Sequence, residues 1–291
     1  MIPNNNLSVL PWYTSIEQQN ARKWWIYGRV YPLYVQAGYL PQFQIILPYR
    51  SSPSLVECVL YNAEGQVVYS NIVVDMQETG FAFNQYSSRG YTVAIYPGAL
   101  PISVSLNNGQ YYMRIRINST YLYSEIFTVV NDIQPYLKVE WWDAQDFMMD
   151  AGIIAYKYSN NTQFKNVLYL PSDIAKPEYN FEEEGEERDG YFYPIKQISS
   201  KRYRFNFLAS EYLLDVMRLI RMADYVEITY HGQQYSLDTF LITPEWEESG
   251  DVAVVEAQFT CATVAKKIGI GYVKSLRGDY NDDFNNDFNN Q

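Results

Sequence analysis

Between residues 42 and 131 the chain repeats one pattern: a short apolar and aromatic run, a turn, then another such run. The runs are QFQIILPY, LVECVLYN, QVVYSNIVV, YTVAIYP, QYYMRIRIN and YLYSEIFTVV, with Ala63-Glu64-Gly65 and Asn107-Asn108-Gly109 as turns between them. In the fifth run Met113, Ile115 and Ile117 alternate with Tyr112, Arg114 and Arg116. A period of two puts one set of side chains on each face of a pleated strand, so this strand is half buried. Asn118, Ser119 and Thr120 then turn the chain into the sixth run. Short strands at this spacing predict an immunoglobulin-like antiparallel β-sandwich over residues 42–132. No Cys-Trp-Cys framework accompanies them, so the likeness is one of architecture.

The pattern changes on both sides of this region. Residues 1–41 read as an arm, punctuated by Pro3, Pro11, Pro32 and Pro41 and rich in anchors such as Trp12, Trp24 and Trp25, with no clean strand or helix period. Such a segment wraps a surface, either its own domain's or a neighbouring subunit's. Asn131, Asp132 and Gln134-Pro135 mark a boundary before the strand YLKVEWW. Beyond it, RYRFNFL at 202–208 reads as a strand, and Ser210 as the N-cap of a helix whose stripe is Leu213, Val216, Met217 and Ile220. Glu211 near its start and Arg218 and Arg221 near its end suit the helix dipole. YVEITYHG, QYSLDTFLIT and VAVVEAQFT follow as strands, the last with Ala253, Val255, Ala257 and Phe259 on one face. Residues 133–277 are therefore expected to form an α+β domain, an antiparallel sheet with one amphipathic helix laid on it. The tail 278–291 contains DFNN twice and has the acidic, Asn-rich composition of a disordered segment.

Charge and composition narrow the function. A formal net charge of -11 disfavours a chain that grips phosphate backbones, because such grip comes from clustered Lys and Arg. DNA can still pass an acidic wall without sticking. The 29 Tyr outnumber the 20 Leu, and tyrosine suits surfaces that are wet before contact and buried after it. No apolar run approaches the roughly 18–20 residues of a membrane span, and the start MIPNNNLSVLPWYTSIEQQ lacks the pattern of a secretory signal. The expectation is a chain made in the cytosol that does not enter membranes. Cys58 and Cys261 sit in strand-like apolar segments, which reads as two buried thiols in a reducing compartment.

No constellation carries catalysis. His231 is the single histidine and sits in the turn YHGQQ, without a nucleophile elbow or a cysteine motif to serve. One histidine and two distant cysteines give no zinc spacing, and Gly269 and Gly271 lack the rest of a phosphate-binding loop. Paired acids beside tryptophan, Asp143 and Asp146 in WWDAQD and Glu245, Glu247 and Glu248 in TPEWEESGD, have the look of a sugar-cleaving site. Acids and aromatics are both frequent here, so surface loops account for them. Neither a catalytic residue, a metal nor a cofactor is expected.

The densest feature is EEEGEERDG, which holds Glu182, Glu183, Glu184, Glu186 and Glu187 within a stretch expected to be a long acidic loop over residues 179–200. Contiguous Glu does not have the alternating spacing of a calcium loop; such acids repel and stay hydrated. The basic cluster that follows, Lys196, Lys201, Arg202 and Arg204, offers them a partner. The sequence leaves open whether that pairing lies within one subunit or between two.

LPWY, YLPQFQI, KPEYNFEEEGEERDGYFYPIKQISSKRYRF and YLLDVMRLIRMADYVEIT…FLITPEW together resemble virion proteins of tailed phages of Bacteroidetes, the crAss-like phages in particular. The resemblance covers most of the chain and implies a ring-forming tail or connector protein beneath the portal, a homo-oligomer in contact with other virion proteins. It implies no catalytic residues. The competing expectations are a virion or cell-surface adhesin that binds carbohydrate through its aromatics and, more remotely, a glycan hydrolase.

Overall fold

The computed structural model describes residues 9–20, 33–47, 56–79, 91–96, 105–142, 147–148, 154–155, 165–246 and 252–267. The protein is mainly β, with a small helix packed on its second large sheet. In chain order the first region contains β1 (Trp12–Tyr13), α1 (Ile16–Asn20), β2 (Tyr34–Gln36), β3 (Phe43–Leu47), β4 (Val56–Asn62) and β5 (Val67–Ile72). Then come β6 (Asp75–Thr79), β7 (Tyr91–Tyr96), β8 (Gly109–Ile117), β9 (Thr120–Ser124) and β10 (Phe127–Val130). Strands β3, β7 and β6 form a three-stranded sheet; the others form a seven-stranded one centred on β8. The alternation in β8 does what its period requires: Met113, Ile115 and Ile117 are buried, and Arg114 and Arg116 lie on the opposite face. The two sheets meet through Phe43 of β3, whose ring lies 4.9 Å from Trp12 of β1 and 5.8 Å from Tyr96 of β7.

Three features depart from the expected strands. The run YLYSEIFTVV is two strands, broken at Glu125 and Ile126. There the Ser124 hydroxyl accepts from the Met113 N–H at 2.8 Å and the Glu125 carboxylate accepts from the Ile126 N–H at 2.7 Å, so side chains replace ladder bonds. Second, β6 had no apolar alternation to announce it. Third, described parts of the arm belong to this sheet: β1 pairs antiparallel with β9, and β2 pairs parallel with β10. Leu10, Leu33 and Leu40 are buried with them. A polar knot holds the arm down. The Tyr13 hydroxyl donates to Glu125 at 2.9 Å, the Glu125 N–H donates to the Pro11 carbonyl at 2.8 Å, and the Gln19 amide donates to the Ser124 carbonyl.

The second region holds β11 (Leu137–Trp142), β12 (Phe147–Met148), β13 (Ile154–Ala155), β14 (Asn166–Leu170), β15 (Glu178–Arg188) and β16 (Tyr191–Ser210). It continues with α2 (Glu211–Met217), a 3-10 turn (Ile220–Met222), β17 (Tyr225–Tyr230), β18 (Gln233–Trp246) and β19 (Val252–Lys267). Its antiparallel seven-stranded sheet runs β14-β11-β17-β18-β19-β16-β15. The expected stripe Leu213, Val216, Met217 and Ile220 is buried, but the α-helix ends at Met217 with Arg218 as its C-cap, and Ile220 and Arg221 lie in the 3-10 turn; Ala253, Val255, Ala257 and Phe259 are buried along one face of β19. Ser210 occupies the N-cap position with extended backbone, but its hydroxyl makes no capping bond and is buried without a partner. That corrects the expected cap. One apolar cluster runs through both regions, which also meet where Tyr34 packs 4.9 Å from Tyr136 and the Lys165 N–H donates to Gln42.

Candidate assembly interface

Residues 179–200, expected as a loop, are the greater part of a long β-hairpin. Asp189 and Gly190 form its two-residue turn with φ of 52° and 78°, the left-handed pair that a type I′ hairpin needs and that Asp-Gly supplies. Tyr179 pairs with Lys201, Glu182 with Ile198, Glu184 with Lys196 and Arg188 with Tyr191 along an antiparallel ladder. Opposite Gly185 the register slips past Ile195, and a Cβ on Gly185 would meet the Tyr193 carbonyl and lie 2.6 Å from the Phe192 ring. Only glycine fits there. The physical reason for the correction is that a strand exposed on both faces shows no hydrophobic period; its register comes from the turn and from its partner.

The hairpin leaves its own core behind. Phe205, Phe207 and Ala209 of β16 are buried, whereas the earlier part of the same strand is half-buried or exposed and nearly all of β15 is exposed. The last residues of β19, from Ala262 to Lys267, run alongside as a third strand, with Val264 opposite Ser199, Lys266 opposite Gln197 and Lys267 opposite Lys196. The result is a three-stranded finger, β15-β16-β19, extending roughly 30 Å beyond the packed sheet at about 3.3 Å per residue. Tyr179 is 72% exposed, Phe181 63% and Val264 67%. Alternation puts Phe181, Ser199 and Val264 on the face that nearer the base becomes the core face. At the base, Ala262 adopts φ 53° where β19 takes up an extra residue against β16.

Charge is sorted across the finger. Glu182, Glu183, Glu184, Glu186 and Glu187 are all exposed on the edge strand β15. Within the chain, Lys196 bonds Glu184 at 3.2 Å, Arg188 bonds Glu186 at 2.5 Å and Arg204 bonds Glu178 at 2.9 Å. The Lys201 ammonium lies 5.7 Å from the Tyr179 ring centre, and Arg202 stands opposite Glu178 in the ladder. Much of the acidic and basic pairing that the sequence left open is thus internal. Lys266 and Lys267 went unnoticed in the sequence, although VAVVEAQFTCATVAKK is one continuous strand; its apolar alternation stops before the lysines and gives no sign that the strand goes on.

The remaining sequence candidates fall elsewhere. Trp12 is packed edge-on against Phe43 with its indole N–H buried and unpaired, so it serves its own subunit. Trp24, Trp25, Asp143, Asp146, Glu247, Glu248, Gly269, Gly271 and the tail 278–291 lie outside the described residues. Glu245 is exposed on β18, and His231 sits with Gly232 in the two-residue turn between β17 and β18, at φ 46° and 77°. Cys58 and Cys261 are buried free thiols, and burial pushes Cys58 up to about 12. Among the described residues no group of three or more His, Cys, Asp or Glu could hold a metal ion. An open cleft of about 730 Å³ lies beside the base of the hairpin, lined by Tyr136, Asp173, Arg204 and Glu256 among others. No protein-family model matches the chain, and no curated protein matches it.

Proposed function

We propose that the protein is a non-enzymatic structural subunit of a phage virion, a ring-forming tail or connector component that assembles with copies of itself between portal and tail. The observation that carries this reading is the finger. A hairpin whose outer strand is exposed on both faces, with large aromatics on its surface and an edge that no described strand pairs, is a liability unless something covers it. Its exposed tyrosine and phenylalanine are the residue types that anchor protein interfaces. The excess of acid over base suits a wall past which DNA slides, and the likeness to virion proteins of crAss-like phages points the same way. Native mass spectrometry and negative-stain imaging of the full chain test it: closed rings of one subunit number are expected, and a strict monomer at all concentrations removes the reading. EDTA is expected to leave the melting temperature unchanged; a fall of several degrees would reopen the acidic strand as a metal site.

The feature that favours the carbohydrate-binding alternative is this open cleft, which lies in the second region and not on the sandwich. Arg204 reaches into it between Glu178 and Glu256, and Asp173 accepts from the Tyr230 hydroxyl at 2.6 Å. A monomer that retains glycans on an array, and loses them on Tyr136→Ala, would favour that reading over the ring.

A further inference from the structure

The finger has two open edges of opposite charge. Among the described residues β15 ends the sheet on one side; on the other, the outer edge of β19 beyond Cys261 meets no further strand, because β18 pairs with it only as far as Leu237, after which the Thr263 N–H donates to the Asp238 carboxylate at 3.3 Å. The first edge carries the glutamates, the second Lys266 and Lys267. Both outer strands run from base to tip, since each is antiparallel to β16 between them.

Resting on the ring reading above, we infer that the fingers of successive copies join edge to edge, β15 of one copy beside β19 of the next, and that the charge on the edges selects this head-to-tail pairing over a two-fold one. A two-fold contact through β15 would set its glutamates against the same glutamates, and one through β19 would set lysines against lysines. Head-to-tail contact sets acid against base. It is also parallel, so every finger points the same way, as rotation about a single ring axis demands. The heights match as well. Glu184, Lys196 and Lys267 stand across from one another in one finger, as do Glu183, Gln197 and Lys266, and as do Phe181, Ser199 and Val264. Fingers side by side at equal height therefore bring Glu183 and Glu184 to Lys266 and Lys267 of the next copy, and Phe181 to its Val264. Main-chain bonds along the two edges supply the rest of the contact.

Sedimentation velocity and native mass spectrometry of the full chain at low salt, with imaging of the products, test this pairing. E183K/E184K reverses the acidic edge and K266E/K267E the basic one. Each is expected to keep the wild-type melting temperature and to raise the concentration for half-assembly by at least about tenfold, equivalent to about 1.4 kcal/mol. Mixed in equal amounts the two variants are expected to co-assemble, because each reversed edge then faces its complement. The chain carrying all four substitutions is expected to assemble alone. Oligomers unaffected by either reversal overturn the edge pairing and leave the ring reading standing. Open filaments that respond to both keep the pairing and remove the ring. E183K/E184K pairing with wild type while K266E/K267E behaves as wild type overturns head-to-tail contact in favour of two-fold pairing. Monomers in every sample remove both inferences.

Discussion

Glu125 and Glu184 are both strand-associated glutamates, yet the two ends of the molecule use them in opposite ways. Glu125 is fully buried in the sandwich, where its carboxylate takes bonds from the Tyr13 hydroxyl and the Ile126 N–H and ties the arm to β9 and β10. Glu184 lies on the finger, exposed, with one long bond to Lys196. A buried carboxylate must be satisfied by its own chain, so it specifies the fold of that chain. An exposed one is held weakly, about 0–1 kcal/mol per ion pair, and remains free to act between chains. Substitutions near Glu125 should therefore read out as folding, and substitutions near Glu184 as assembly.

The sharpest test of that division compares two apolar residues. Leu10, from the arm, is completely buried, and Leu10→Ala is expected to destabilise the subunit by about 2–5 kcal/mol through lost burial and the cavity left behind. Phe181→Ala on the finger is expected to leave chemical denaturation of the subunit within about 0.5 kcal/mol of wild type, as surface changes do, while weakening oligomers. A destabilised Phe181 variant would mean that the finger belongs to the fold. Equal stability of the Leu10 variant would mean that the arm is not part of the core.

How much of this was legible depended on whether a residue's burial left a period in the sequence. The half-buried strand β8 and the stripe of α2 could be read because one face meets core and the other meets water. The arm could not, because Leu10, Leu33 and Leu40 are anchored singly between prolines and its short strands borrow their hydrogen bonds from β9 and β10. The finger was misread for the opposite reason, since a strand with no buried face carries no alternation. Asp189-Gly190 was the available signal, a hairpin turn of the preferred composition, and the surrounding glutamates obscured it.

Alkaline pH tests the sandwich end. Burial first, then the neighbouring Cys58 and Tyr69, raise Tyr96 from 10.0 to about 12, and burial alone raises Cys58 from 9.0 to about 12. Both groups are therefore held protonated in the fold. Their contribution is fully present below the unfolded values and is lost as pH rises through the folded ones. For Tyr96 the difference is worth roughly 2–3 kcal/mol. Stability is expected to fall between about pH 9 and 12, Cys58 contributing from about 9 and Tyr96 from about 10, with tyrosinate absorbance at Tyr96 appearing only as the sandwich opens. Early ionisation at Tyr96, followed with a Tyr96→Phe control, would show an open sandwich.

Tyr13→Phe removes one donor from the buried Glu125 carboxylate, at an expected cost of about 1–3 kcal/mol. The same removal on the finger, Lys196→Met beside Glu184, is expected to change subunit stability by less than about 0.5 kcal/mol, because water replaces the lysine. Urea denaturation of both variants measures the contrast. Equal effects would erase the distinction between carboxylates that hold the fold and carboxylates that face outward.

The smallest effect is expected where the finger leaves the sheet. Ala262 holds φ at 53° in β19, where the strand takes up one more residue than β16 opposite it. A left-handed backbone at a residue with a Cβ costs about 1–2 kcal/mol relative to the usual conformation, and glycine escapes that penalty. Glycine also has more freedom to lose on folding, which returns about 0.5–1 kcal/mol to the unfolded state. The side chain is exposed, so its removal opens no cavity. Ala262→Gly is therefore expected to stabilise the subunit by roughly 0.5 kcal/mol, seen as a slightly higher melting temperature. Destabilisation instead would mean that the Ala262 methyl holds the bulge in place, making the base of the finger a packed part of the fold like the sandwich end. In that case the division between the end that specifies the subunit and the end that faces its neighbours would begin beyond Ala262, at Val264 and the two lysines.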